Sequence, residues 1–220
     1  MGVPGLQTYV EQRASSACKK VNILKEAKKI NEKSCWQRKK SVTEDDLQKV
    51  LIVDLLGLAR KPYVGLNPWF GGDFVQYKDN WRKLLLKKFQ EKGIGLVFVS
   101  KSTRNSRDRG KKEIENFVKP AFEQLKKGKT PQPDILNNSV LPKCGLENFI
   151  RHELNQQLYI IHTGDQDRQI IQLAIQYKAF GILVQDSDFF CQQFPLQVSI
   201  YSAKELDLDT LDTIAFGKKS

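Results

Sequence analysis

No apolar run in the 220-residue sequence approaches the about 18–20 residues that a spanning helix needs, which excludes a helical membrane anchor within it. The start, Met1 to Val10, lacks a basic stretch followed by an apolar one, and Leu6 stands where myristoylation requires Ser or Thr. Secretion and N-terminal lipidation are therefore not expected. Cysteines are few and scattered: Cys18, Cys35, Cys144 and Cys191 form no CxxC pair, which fits reduced thiols in a nuclear or cytoplasmic protein better than a disulfide frame or a zinc site. Histidine is scarcer still. His152 and His162 alone cannot build a three-histidine zinc centre, and His162, within an apolar run, reads as a core histidine. There is no GxSxG elbow for a serine hydrolase. The glycines of Phe70-Gly71-Gly72-Asp73 match neither a dinucleotide fingerprint nor a P-loop and read as a turn before a helix.

Positive charge, by contrast, is abundant. Thirty-six Lys and Arg against 25 Asp and Glu leave +11, with a mean hydropathy of −0.46; a polyanionic partner or a solvated basic surface would each account for such a surplus. The charge is partly segregated. One basic segment spans 15–49, with Lys19-Lys20, Lys28-Lys29 and Arg38-Lys39-Lys40, and a second begins at Lys101 and holds Arg104, Arg107, Arg109, Lys111, Lys112, Lys126 and Lys127. Thr130-Pro131-Gln132-Pro133 then reads as a stiff extended connector.

Between these segments, short β-branched runs alternate with longer amphipathic ones, the rhythm of parallel strands joined by helices. Strands are predicted at Val50–Leu56, Gly95–Ser100, Leu158–His162, Phe180–Gln185 and Val198–Tyr201. Because Leu51-Ile52-Val53 and Ile182-Leu183-Val184 are continuously apolar, both faces of those strands should be covered. Helices are predicted at Phe74–Lys92, Ile114–Lys127, Leu146–Asn155 and Asp167–Tyr177, with Gly93 and Gly128 as stops. The expectation is one α/β domain over 1–220: a doubly wound, mainly parallel twisted sheet with helices on both faces. The segment 15–49 is expected as a basic insert, and 101–145 as an arch-like insertion and connector.

In such a fold, chemistry gathers outside the carboxyl ends of the strands. Asp54 lies near the end of the first strand, Asp165 and Asp167 follow the third, and Asp186 and Asp188 close the fourth. Carboxylates brought together there repel one another unless a cation neutralises them, and hard oxygen donors select Mg²⁺ or Mn²⁺. Two such ions can activate water and stabilise the leaving oxygen of a phosphodiester. The competing reading for an isolated Asp-x-Asp is a helix cap, open to Asp165 or Asp167.

Four motifs in order, Met1-Gly2-Val3-Pro4-Gly5-Leu6, Leu51-Ile52-Val53-Asp54, Gly164-Asp165-Gln166-Asp167-Arg168 and Gln185-Asp186-Ser187-Asp188-Phe189, resemble the signposts of the flap-endonuclease superfamily of PIN-like 5′ nucleases. Within it the chain looks most like the asteroid proteins, which share a Gly-Gly-Asp-Phe-like turn (Gly71 to Phe74). The constitutive-coactivator-like proteins are a second match. The resemblance implies a Mg²⁺- or Mn²⁺-dependent, structure-specific nuclease acting on DNA flaps, overhangs or single-stranded ends, with Asp54, Asp165, Asp167, Asp186 and Asp188 at metal positions. It also implies a nuclear or cytoplasmic location and DNA in preference to RNA as partner, gripped by Gly2 and by an arch carrying Arg104, Arg107, Arg109, Lys111 and Lys112. Ser100 departs from the pattern, standing where the family places an aspartate. The alternative is a PIN-like module without strong catalysis that binds nucleic acid or a protein partner.

Overall fold

The computed structural model describes residues 18–34, 49–59, 61–63, 73–101, 119–129, 146–162, 164–186, 189 and 198–216. These residues form one seven-stranded mixed sheet: β1 (Cys18–Asn22), β2 (Lys49–Asp54), β3 (Ile94–Lys101), β4 (Gln157–Ile161), β5 (Gly181–Val184), β6 (Ser199–Ser202) and β7 (Asp212–Phe216), in the spatial order β1-β7-β6-β5-β2-β3-β4. The five strands from β6 to β4 run parallel, as the apolar runs predict. β7 is antiparallel to both β6 and β1.

The helices are α1 (Ile23–Ser34), α2 (Leu55–Ala59), α3 (Asp73–Asn80), α4 (Lys119–Lys126) and α5 (Gln166–Gln176). α3 continues through a π-helical stretch, Trp81–Lys87, into a short turn, Lys88–Gln90, so the predicted 74–92 helix is present but changes its hydrogen-bond period midway. A second π-helical stretch, Phe149–Glu153, precedes β4. Gly93 and Gly128 end their helices in the left-handed region (φ 66° and 67°), which a residue without Cβ adopts at little steric cost. No helix among the described residues is long and apolar enough to cross a membrane.

Alternation along the strands divides the core into two layers. Leu51, Val53, Leu96, Phe98, Leu183 and Tyr201 face one side, where Ile23 and Ala27 of α1, Leu55 and Leu58 of α2, Tyr77 of α3, Trp81 and Phe149 pack against them. Val50, Ile52, Val97, Val99, Ile182, Val184 and Ile200 face the other side and are covered by Ile170, Leu173 and Ala174 of α5. Burial on both sides is why β2 and β5 carry unbroken apolar runs. Tyr77 ties α3 to the end of α2 by donating its hydroxyl to the Ala59 carbonyl at 2.8 Å. Trp81 packs edge-on against Phe98 with ring centroids 5.9 Å apart.

The segment 15–49, read from sequence as an insert outside the winding, differs within its described part. Residues 18–22 pair with β7 from Cys18↔Phe216 to Asn22↔Asp212, and α1 buries Ile23 and Ala27 in the core. β1 lies at the sheet's edge, where Lys19 and Lys20 are exposed and only Val21 is buried, so it carries a polar rather than an apolar signature.

Candidate functional site at the carboxyl edge of the sheet

From β2 the chain winds to β3 and β4 on one side, then crosses to β5 and β6 on the other. The winding direction reverses between β2 and β5, and parallel α/β sheets leave a crevice outside the strand ends at such a point. Asp54 is the last residue of β2, one step beyond the Val53↔Leu183 pair, and Asp186 follows Val184, the end of β5, by two residues. Asp54 shares its side of the sheet with Val50 and Ile52, the side covered by α5. It is buried at 8% exposure, and Asp186 is half-buried.

Two donors converge on Asp54. Its Oδ1 accepts from the Leu56 backbone N–H at 3.2 Å and from the Gln166 side-chain amide at 3.4 Å, a bond joining residues 112 apart in sequence. Close packing at Gly57 holds the β5 exit against α2. A Cβ at position 57 would lie 3.0 Å from Gln185 Cβ, 3.1 Å from Gln185 N and 3.3 Å from Ala203 Cβ, so a larger residue there would have to push the segment after β5 back by a few tenths of an ångström. Lys61, just beyond α2, braces the same region by donating to the Lys204 and Leu206 carbonyls at 2.5 and 2.9 Å. Burial pushes its ammonium below the ordinary value of 10.5, while Glu205 and Asp207 pull the other way.

The two carboxylates before and within α5 have different work. Asp165 is the N-cap: its backbone is extended, its Oδ1 accepts from Asp167 N–H at 3.0 Å, and Arg168 Nε lies 3.7 Å from its Oδ2. The cap reading therefore holds for Asp165, a role worth about 1 kcal/mol. Asp167 is half-buried in the first turn of α5. Asp188 lies outside the described residues.

Ser100, at the carboxyl end of β3, follows the alternation of Leu96 and Phe98 and so lies on the opposite side of the sheet from Asp54. It is fully buried and donates its hydroxyl to Glu147 Oε1, in the helical segment that buries Leu146 and Phe149. Glu147 and Gln166 were not anticipated from sequence. Gln166 left one signal, its place between two aspartates at a helix start; Glu147 left none. His162 also differs from expectation, since it is exposed immediately past β4 rather than buried within it.

Aspartate oxygens are the donors that a hard divalent cation such as Mg²⁺ or Mn²⁺ selects, and Asp54 Oδ1 accepts from the Leu56 N–H and the Gln166 amide. Among the described residues, no three His, Cys, Asp or Glu side chains already stand close enough together to hold one. Of the basic segments, Gly2, Arg104, Arg107, Arg109, Lys111 and Lys112 lie outside the described residues. The described end of the second segment, α4 and the turn after it, exposes Lys119, Lys126, Lys127 and Lys129 beside Phe122 and Leu125, exposed at 58% and 46%.

Fold and strand-end carboxylates together define a doubly wound α/β domain with an acidic carboxyl edge. No family model matches the sequence, and no curated protein matches it. Among solved structures, the chain is similar to the catalytic core of Rad2 in complex with DNA substrate, at 13% identity and a TM-score of 0.47, over 97% of this chain and 54% of that one. The chain thus spans about half the length of the structure it matches.

Proposed function

We propose that the chain is a nuclease-like domain of the flap-endonuclease type that binds nucleic acid, DNA in preference to RNA, and hydrolyses phosphodiesters with Mg²⁺ or Mn²⁺. One observation carries the reading: Asp54 ends β2, and Asp186 follows the end of the adjacent parallel strand β5 by two residues, at the point where the winding reverses, with Gln166 at the start of α5 bonded to Asp54. The candidate ligands are Asp54, Asp165, Asp167, Asp186 and Asp188, of which the described ones do not already form a group of three around one point. The bound cation would supply charge neutralisation at the phosphate and a water of lowered pKa. The chain's own residues set the carboxylates in place: Leu56 N–H and Gln166 orient Asp54, Gly57 admits the β5 exit, and Asp165 fixes the first turn of α5. The +11 charge supports a polyanionic substrate. The asteroid-like motifs support the family and the choice of DNA flaps, overhangs and single-stranded ends, and with them a nuclear or cytoplasmic site of action.

A second reading, a nucleic-acid or protein-binding module without chemistry, is favoured by Ser100, whose hydroxyl is committed to Glu147 on the far side of the sheet, and by the use of Asp165 as a cap. Metal binding and cleavage separate the two. At a free Mn²⁺ concentration 100 times its dissociation constant, binding stabilises the fold by about 2.7 kcal/mol, a rise of roughly 5–10 °C in melting temperature for a domain this size. Asp186→Asn with Asp188→Asn should abolish cleavage of labelled flap and single-stranded DNA while leaving affinity for it equal or slightly higher, since two charges that repel phosphate are gone. A melting curve indifferent to Mn²⁺ rejects the nuclease reading; cleavage that survives the double substitution belongs to a contaminant or to another site and rejects the carboxylate assignment.

A further inference from the structure

We infer that the outer edge of β4 pairs with the same edge of a second copy of the chain, so that two sheets continue into one across a two-fold axis. The pairing is independent of the metal-site reading and begins from a contrast between the two ends of the sheet. β1 closes one end with Lys19 and Lys20 exposed, the charged guard that edge strands carry against pairing with another chain. β4 closes the other end, with β3 as its neighbour among the described residues. Its sequence, Gln157-Leu158-Tyr159-Ile160-Ile161, holds no charge and no proline, and Leu158, Tyr159 and Ile160 are only half-buried.

An edge strand turns the N–H and C=O of alternate residues outward, and these bond a partner strand where nothing repels it. In a chain of net charge +11, a second copy is repelled wherever lysine faces lysine, and along β4 it is not. The strand is also complementary to itself. In an antiparallel pair centred on Tyr159, Tyr159 faces its own copy, Leu158 faces Ile160 and Gln157 faces Ile161, a self-matching contact of the kind a two-fold dimer requires. Leu158 lies on the α1 side of the sheet and Tyr159 on the α5 side, so apolar cross-strand pairs form on the first and aromatic ones on the second. The aromatic side is ordered in advance. The Tyr159 and Tyr177 hydroxyls are 2.5 Å apart, the Gln157 amide donates to both, and the rings pack edge-on with centroids 6.2 Å apart. Side chains fixed before contact lose little freedom on association, and tyrosine is enriched, with lysine and glutamate depleted, where protein surfaces meet.

The test follows molecular mass by sedimentation equilibrium, with no nucleic acid or metal present, from about 1 µM to about 1 mM, the span of moderate to weak dissociation constants. The wild-type chain should pass from monomer to dimer within that range and go no further. Hydrogen exchange at the β4 amides should slow as the concentration rises through the dissociation constant. Added salt should tighten the dimer, because it screens the repulsion between two chains of +11. Tyr159→Lys sets two lysines directly opposite each other and should raise the dissociation constant about a hundredfold. Gln157→Lys, at an exposed position, should weaken the dimer, whereas Lys20→Gln on the opposite edge should leave it unchanged. If Tyr159→Lys melts well below wild type, Gln157→Lys and the wild-type exchange pattern decide. A chain that stays monomeric throughout overturns the pairing and leaves the edge to a strand from another protein. Assembly beyond the dimer overturns it too, as does a dimer whose β4 amides exchange at a rate independent of concentration. A dimer that survives Gln157→Lys, or that Lys20→Gln dissociates, lies elsewhere and has the same consequence. None of these outcomes alters metal binding or cleavage, which are measured separately.

Discussion

Gly181→Ala tests whether β5 and β6 lie in the register that brings Asp186 out beside Asp54. Gly181 opens β5, paired with Leu51 of β2 and Ser199 of β6. A Cβ there would sit 2.2 Å from Tyr201 Cε2, 2.9 Å from Cδ2 and 3.0 Å from the Ser199 carbonyl oxygen. Carbon atoms in contact rest about 3.5–4.0 Å apart, so the ring edge must retreat by roughly 1.3 Å or the strands must part. The ring has little room to retreat: Tyr201 is 1% exposed, tilted against Phe180 at 6.2 Å, and so desolvated that its phenol is pushed well above the ordinary range. Overpacking of this kind costs about 1–3 kcal/mol, and a buried aromatic ring belongs at the upper end. Replacing glycine returns about 0.4–1 kcal/mol by restricting the unfolded chain. A net loss of about 2 kcal/mol lowers the melting temperature by roughly 4–8 °C in a domain this size. Thermal unfolding followed by circular dichroism measures it, and Tyr201→Leu provides the partner substitution. Trimming the ring opens a cavity by itself, yet in the double variant the new methyl fills part of it, so the double should lose less than the sum of the singles by about 0.5–3 kcal/mol. A Gly181→Ala chain that melts at or above the wild-type temperature refutes the register, and with it the placement of Asp186.

Two further outcomes test the surface. Each basic side chain that neutralises a phosphate contributes about −0.9 to the slope of log affinity against log salt on duplex DNA, or about −0.7 on single strands; replacing Arg107, Arg109, Lys111 and Lys112 with Ala should flatten the slope by about two to four units. The same four-residue change at Lys28, Lys29, Lys39 and Lys40 is the control, and a slope lost there but kept in the first variant would move the nucleic-acid path to the segment around α1. In the loop before β7, Asp207 accepts the Thr210 and Asp209 backbone N–H groups at 3.0 and 2.7 Å, which holds its carboxyl below the ordinary value of 3.8. A depressed folded value means that its contribution is complete above the unfolded value and is lost as the pH falls through the folded one. Hydrogen exchange at the Asp209 and Thr210 amides should therefore lose protection in acid in the wild-type chain but show no such step in Asp207→Asn; identical acid profiles would remove Asp207 from the loop's support.

What the sequence by itself determined is the parallel heart of the sheet and the identity of the residues at its carboxyl edge. Unbroken apolar runs such as Leu51-Ile52-Val53 and Ile182-Leu183-Val184 can be accommodated only where both faces are covered, and the aspartates that follow them are then strand-end residues. Gly93 and Gly128 announced the helix ends for an equally local reason, a backbone angle that favours glycine. Only the tertiary structure decided the rest. β1 and β7 acquire their meaning from pairing Cys18–Asn22 with Asp212–Phe216 across nearly the whole chain, and no local pattern in a lysine-bearing edge strand records such a partner. The aspartates, alike in sequence, were sorted by surroundings: Asp54 was buried and bonded to Gln166, whereas Asp165 was turned to its own helix as a cap. Strand parity set Ser100 on the far face, against Glu147. Charge and spacing can nominate a carboxylate, but the partner that orients it comes from a distant segment, and its position exists only once the sheet and its helices have packed.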